Sequence, residues 1–180
     1  YTMVRKAFEE SVAEAHSRST EYELIAEDRG LHVFGVEAEL KRPFIQMIEN
    51  AIKYTPVGGS VIVKLEYETD HILFSVKDTG IGIPDGEEEM VFGLCDRCSN
   101  AKDFNKAGTG TGLYNDRKII LHHNGQIWVE SAGAGKGSTF FIRIPIHKKY
   151  RDGDGRSAAL AAPIFSDSPV SSGTSLTPGP

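Results

Sequence analysis

Three glycine clusters in the second half of the chain have the composition to do chemistry. They are Asp78-Thr79-Gly80-Ile81-Gly82-Ile83-Pro84, Gly108-Thr109-Gly110-Thr111-Gly112-Leu113 and Gly133-Ala134-Gly135-Lys136-Gly137-Ser138-Thr139. Glycine permits φ > 0 and a close approach of backbone to ligand. A G-x-G-x-G run that opens a helix aims free N–H groups and the positive dipole end at one point, which is a phosphate cradle. The second cluster is not a P-loop, since no Gly-Lys-Ser/Thr ends it. Nor is it a Rossmann fingerprint, because it does not follow directly on a strand and the βαβ frame is absent. Taken singly, each cluster also fits a plain turn between strands. Cys95-Asp96-Arg97-Cys98 is a C-x-x-C. It fits redox sensing, or half a zinc site with His122 and His123 as partners, but a structural zinc site needs four ligands at fitting spacing.

These clusters need a scaffold, and the apolar periodicity supplies one. Val4, Ala7, Phe8, Val12 and Ala15 recur at helical spacing and predict a helix over residues 3–16. Two short strands follow, Glu21–Ala26 and Leu31–Val36, turning at Asp28-Arg29-Gly30. A second helix covers Phe44–Tyr54 with Ile45, Ile48, Ala51 and Ile52 inward, and Pro43 fits its first turn. If that helix begins at Glu37 instead, Pro43 lies inside it and kinks it. Ser60–Tyr67 and His71–Lys77 alternate with period two around Thr69-Asp70 and form an antiparallel hairpin. A short helix is expected around Met90–Leu94 and a further one over Gly112–His123. Strands close the domain at Gln126–Glu130 and Ser138–Ile146, with Phe140, Ile142, Ile144 and Ile146 on one face. Mixed helices with late consecutive strands give an α+β class: a two-layer sandwich with helices on one face of a mixed, mostly antiparallel sheet.

Residues 151–180 differ in kind. They hold four Gly, four Pro and six Ser, and their apolar residues follow no period. Such a segment cannot bury enough apolar area to offset its ordering entropy. It reads as a disordered tail or a linker, leaving residues 1–150 as the folded domain, enough for one core. The 20 Lys and Arg against 25 Asp and Glu give a net charge of −5, which is not the footprint of a nucleic-acid binder. No apolar run approaches the roughly 20 residues that span a bilayer. Two cysteines cannot staple a secreted fold, so a reducing, cytoplasmic compartment is expected.

The order of the motifs is more specific than any one of them. Asn50-Ala51-Ile52-Lys53-Tyr54-Thr55-Pro56, then D-T-G-I-G-I-P, then G-T-G-T-G-L, then G-K-G-S-T-F resembles the ATP-binding domain of sensor histidine kinases. That family shares its Bergerat-type fold with the DNA gyrase B subunit, MutL and a heat-shock chaperone. The resemblance covers about Val4 to Ile146. It implies ATP and Mg²⁺ as cofactors, with Asn50 as the Mg²⁺ ligand; an amide oxygen is a hard donor suited to that ion. Lys53, about one turn on, would face the same phosphates. Tyr54 matches an aromatic of the adenine pocket, though it also fits a core-edge tyrosine. Asp78 matches the carboxylate that reads the adenine amino group, flanked by Gly80 and Gly82. Gly108, Thr109, Gly110, Thr111, Gly112 and Leu113 would cradle phosphates. Thr139 matches a late-strand Ser/Thr that supports Asp78. Residues 93–107 match the lid over ATP, and Arg97 a lid-edge arginine near the γ-phosphate. Lys102 and Lys106 there also fit plain solvated charges.

Some positions depart from the family pattern. Gln46 stands four residues before Asn50, where gyrase-like relatives have a Glu that activates water. Gln cannot be a general base, which argues against a gyrase-type hydrolase, but it can hold a water or a Mg²⁺ ligand. Cys95 replaces an aromatic at the base of the lid. Asn115 and Asp116 replace two usually aliphatic positions, so either they face solvent or the helix is destabilised. His16 lacks the phosphoacceptor frame. The resemblance therefore implies an isolated histidine protein kinase catalytic domain. Its partners would be a histidine-bearing dimerisation domain elsewhere and a response regulator, with no membrane contact of its own. The alternatives are a non-catalytic nucleotide-gated interaction module and a serine kinase of the anti-sigma-factor type.

Overall fold

The computed structural model describes residues 1–104, 110–147, 150–151 and 157–158. The chain divides into two units, Tyr1–His147 and Lys148–Pro180. In the second unit, the described residues are two short antiparallel strands, β6 (Tyr150–Arg151) and β7 (Ser157–Ala158).

The first unit contains helices α1 (Thr2–Ser17), α2 (Glu37–Tyr54), α3 (Ser99–Phe104) and α4 (Gly112–His122). Its strands are β1 (Glu21–Ala26), β2 (Ser60–Tyr67), β3 (His71–Asp78), β4 (Gln126–Ser131) and β5 (Ser138–Pro145), in the order β1-β2-β3-β5-β4. β1 pairs parallel with β2, and every other pairing is antiparallel. The mixed sheet with its helical layer is the α+β architecture expected from the periodicity.

Period two sets the inward face of the sheet. Val63 lies opposite Val76, Leu65 opposite Phe74, and Phe74 and Val76 opposite Ile142 and Phe140. All six side chains are buried. α2 covers this face with Leu40, Phe44, Met47, Ile48, Ala51 and Ile52, and Phe44 meets Phe74 edge-on at 4.8 Å between centroids. Burying a Leu, Ile or Phe is worth about 1.5–3 kcal/mol each, so this seam is a major stabiliser. α1 packs Val4, Ala7 and Ala15 into the same core.

Three expectations change. α2 begins at Glu37, so Pro43 lies inside it. The first turn holds because the Leu40 N–H bonds Val36 O at 3.0 Å and Leu40 is buried in the core. Leu31–Val36 is not a strand; it touches the sheet through one bridge, Val33 to Ile146. β1 instead runs parallel beside β2, so the Asp28 turn, closed by the Gly30 N–H on Asp28 Oδ1 at 2.9 Å, leads away from the sheet. The helix expected near Met90–Leu94 is a single 3₁₀ turn, Met90–Phe92, pinned by buried Phe92. Of the segment 151–180, all but three residues lie outside the described residues.

Candidate functional site

Asp78 is the last residue of β3 and continues the inward set Phe74, Val76. Strand parity therefore turns its carboxylate under the helices, where it is 5% exposed. Three donors hold it. The Gly80 N–H reaches Oδ1 at 2.8 Å, the Ser138 N–H reaches Oδ1 at 3.2 Å, and the Ser138 hydroxyl donates to Oδ2 at 2.6 Å. Burial pushes the carboxyl above its usual range, and these donors pull it back.

The supporting hydroxyl is Ser138, not Thr139. In the β3–β5 ladder Ser138 lies directly opposite Asp78, while Thr139 lies opposite Lys77. Successive residues of a strand face opposite sides, so Thr139 cannot reach the carboxylate. The signal was present in the chain: Phe140, Ile142 and Ile144 face inward, and Ser138 shares their parity.

The first and third glycine clusters form one wall. The Gly135 N–H bonds Ile81 O at 2.6 Å, and the Gly137 N–H bonds Gly80 O at 3.1 Å. Gly80 must be glycine, because a Cβ there would lie 2.5 Å from Tyr54 O and 2.7 Å from Asp78 Oδ1. The Ile81 N–H bonds that same Tyr54 carbonyl at 3.1 Å, which locks the end of α2 against this loop. Arg18 Nη2 binds the carbonyls of Lys53 at 3.3 Å and Thr55 at 2.9 Å, fixing the same helix end.

Opposite Asp78, α4 opens at Gly112 with no side-chain cap. Uncapped N–H groups and the positive dipole end favour an anion there. A Cβ on Gly112 would sit 3.0 Å from Gln46 Oε1, so α4 and α2 meet closely at this point. Between these walls lies a cavity of about 460 Å³. α2 contributes Gln46, Asn50, Lys53 and Tyr54 to it; the loops contribute Gly82, Arg97, Gly110 and Thr111, and the start of α4 contributes Gly112 and Leu113. Gly80 stands behind Asp78 as its donor. Gly108, Thr109 and Lys106 lie outside the described residues.

Tyr54 is a cavity residue. Its ring faces Phe104 at 6.2 Å between centroids, and Lys53 Nζ stands 5.4 Å from it. Asn50 and Gln46 present neutral amides to the cavity, a hard-oxygen donor set that fits an ion sharing phosphate oxygens and waters.

The cavity is also lined by Arg42, Asp96, Asn100 and Ser138, to which the sequence assigns no role of their own. Asn100 is the second residue of the short α3, and its Nδ2 donates to Ile81 O at 3.1 Å and Gly82 O at 3.0 Å. Arg97 Nη2 donates to Ala101 O at 2.6 Å. The segment expected as a lid is thus tied to the first glycine cluster and contains a helix. A polar, unperiodic sequence gives no sign of a six-residue helix.

The C-x-x-C does not assemble. Cys95 is exposed, Cys98 is buried, and both are free. Burial, with Glu87 nearby, pushes the Cys98 thiol up to about 11, which makes it a poor nucleophile. His122 and His123 lie instead with Glu39, their ligand atoms all within 4.8 Å of one another. Asp116 is fully buried, and Asn115 is half-buried.

Comparison with known proteins gives the chain its relatives. The adaptive-response sensory kinase SasA of Synechococcus sp. (strain JA-3-3Ab) is 40% identical over 111 residues, 61% of this chain and 29% of that kinase. The chain thus spans under a third of the curated relatives it matches. The mycobacterial sensor histidine kinase MprB superposes with a TM-score of 0.65 at 26% identity, covering 79% of this chain and 93% of that structure. The nucleotide-free catalytic domain of histidine kinase ThkA superposes at 0.69 with 25% identity, covering 80% and 92%. Residues 35–148 match the family model of the histidine kinase-, DNA gyrase B- and HSP90-like ATPases, and they hold both the α2 amides and the donor-held Asp78. The chain belongs to that ATPase family.

Proposed function

We propose that this chain is the catalytic domain of a sensor histidine kinase, which binds Mg-ATP in the cavity and passes the γ-phosphoryl group to a histidine on a separate dimerisation domain. One observation carries the reading. A buried carboxylate held by three donors faces an uncapped helix end across a cavity lined by Asn50 and Lys53. Asp78 can accept a hydrogen bond from the adenine amino group, which guanine lacks at that position. Tyr54 lines the base end. Gly110, Thr111, Gly112 and Leu113 offer backbone to the phosphates.

The residues present fit Mg²⁺. The Asn50 amide oxygen would hold it, and the ion would supply charge neutralisation between phosphate oxygens. Lys53 and Arg97 add cations on the cavity wall. Arg97 would stabilise charge on the transferred group. The domain's part in transfer is positioning and electrostatics, since the nucleophile comes from the acceptor histidine. Gln46 has no basic oxygen to activate water, which favours transfer over hydrolysis.

No helix among the described residues is long and apolar enough to cross a membrane. The reading places the domain in the cytoplasm, where ATP and a response regulator are at hand; residues 151–180 would then be a linker or tail.

The test is phosphotransfer to a supplied dimerisation domain. Acid-labile label on histidine supports the kinase; saturable ATP binding without transfer supports a nucleotide-gated binding module instead. Acid-stable label on serine would assign the chain to the anti-sigma-factor type. Asp78→Asn, with the fold confirmed by circular dichroism, should abolish measurable ATP binding, and retained micromolar binding would overturn the site.

A further inference from the structure

Arg42 stands at one end of a stripe on α2. Arg42, Gln46, Asn50 and Tyr54 follow at four-residue spacing, which places them on one side of a helix. All four line the cavity. At 1.5 Å per residue the stripe runs roughly 18 Å. Its Tyr54 end is bonded to the loop beside Asp78, and Gln46 meets the start of α4. Arg42 is therefore the stripe's furthest member from Asp78, one turn beyond the phosphate-facing helix end.

Its neighbour across the α2–α4 seam is unusual. Asp116, one turn into α4, is 0% exposed, and neither carboxylate oxygen receives a hydrogen bond. Such a group is costly to bury. The nearest opposite charge is Arg42, whose Nε lies 4.0 Å from Asp116 Oδ1, beyond a hydrogen bond, and whose side chain is 57% exposed. Three acidic groups on or beside the elements packed against α4 have neighbours of their own. Glu89, beside the 3₁₀ turn, pairs with Arg117 at 2.8 Å, and Glu39 of α2 lies 4.0 Å from His123. β4 contributes Glu130, which accepts from Trp128. Arg42 is thus loosely held on one side and open to the cavity on the other.

We propose that Arg42 is a phosphate-binding side chain at the γ end of the site, and that the buried Asp116 carboxylate is the counter-charge that holds it in reserve until a nucleoside triphosphate draws it away. This rests on the nucleotide reading above. A guanidinium grips phosphate oxygens through paired N–H donors, a better partner than a carboxylate it cannot reach. Once Arg42 leaves, Asp116 takes a proton from solvent and is buried as a neutral acid. Burial already pushes this carboxyl up to about 7 against the pull of Arg42. A diphosphate ends one phosphate short and leaves Arg42 on Asp116. The pair therefore selects the triphosphate.

The experiment is calorimetric titration of the full chain with Mg-ATP and Mg-ADP near pH 7, for wild type, Arg42→Gln, Asp116→Asn and the double variant. Arg42→Gln should weaken ATP about tenfold and ADP less than twofold. Asp116→Asn should tighten ATP several-fold. The double variant, which leaves no orphaned charge to unfold the protein, should match Arg42→Gln. Repeating the titration in buffers of different ionisation heat should show extra proton uptake with ATP in wild type that Asp116→Asn lacks. Equal losses for ATP and ADP, no loss in either Arg42 variant, or identical proton uptake would overturn the proposal. Wild type that binds neither nucleotide would bring down the nucleotide reading as well; wild type that binds both, with Arg42→Gln unchanged, brings down the role of Arg42 alone.

Discussion

The Ser138 hydroxyl donates to Asp78 Oδ2 at 2.6 Å from directly across the β3–β5 ladder. The bond sets the orientation of the carboxylate, while the two backbone donors on Oδ1 hold its other oxygen. Removing the hydroxyl leaves Oδ2 without its charged-group hydrogen bond, a loss of about 1.5–3 kcal/mol. Ser138→Ala should therefore weaken Mg-ATP binding by roughly tenfold or more. Thr139→Ala, one residue on but on the other face, should change it less than twofold. Calorimetric titration of both variants checks the pair.

Gly80→Ala should lower stability by about 1–3 kcal/mol, because the new methyl meets backbone at Tyr54 O, which cannot swing away. In a chain of this size each kcal/mol moves Tm by roughly 2–4 °C. Gly86→Ala, where nothing lies within 4 Å of the added carbon, carries only the cost of its φ of +83°. Thermal melts of both should show Gly80→Ala the lower.

Asp116 predicts a pH dependence of stability. Its folded carboxyl is raised to about 7, against an ordinary value near 3.8. Between those values the folded state binds more protons than the unfolded one, so stability falls as pH rises through this window and levels off above it. The slope approaches about 1.4 kcal/mol per pH unit at most. Asp116→Asn should flatten the Tm profile between pH 4 and 7. An unchanged slope would mean that the carboxylate is already ionised in that range.

Asn100 ties α3 to Ile81 and Gly82 by two hydrogen bonds of one amide. Asn100→Ala loses both, each worth about 0.5–1.5 kcal/mol. The bound nucleotide should leave roughly 5–150-fold faster, read as koff by stopped-flow displacement of a fluorescent ATP analogue. Circular dichroism should be unchanged, because α3 contributes little to the core.

The two thiols should react at different rates. Exposed Cys95 should titrate with Ellman's reagent within minutes at pH 8. Buried Cys98, held near pKa 11, should wait for denaturant. Two fast thiols would show that Cys98 is accessible after all.

Much of the site was legible because its chemistry is local in sequence. Asp78, Gly80 and Gly82 lie in one run, and Asn50, Lys53 and Tyr54 in one helical turn. What failed was long-range or geometric. Ser138 has the parity of Phe140 and Ile142, whereas the family motif points one residue on, to Thr139. The pairing of β1 with β2 joins residues about forty apart in parallel, which no local pattern reports. Pro43 suggested a helix start, yet burial of Leu40 and Phe44 outweighs the missing N–H. Arg42 and Asp116 are unremarkable as letters and become informative only when α2 and α4 are laid side by side.

The hydrogen bonds of the glycine clusters brace the two walls of the cavity differently, with Asn100 as the tie between them. Residues 80–82 are stitched to 133–137, whereas Gly110 is joined to Cys95, at the base of the lid segment, through the Cys95 N–H at 3.1 Å. In the proposed orientation the base rests on a fixed anvil built from the sheet. The polyphosphate is gripped by the part that is continuous with the lid. In that reading Asp78 on the braced wall would select the purine and the lid would set when the product leaves, with Asn100 as the tie through which a change on one side is felt on the other.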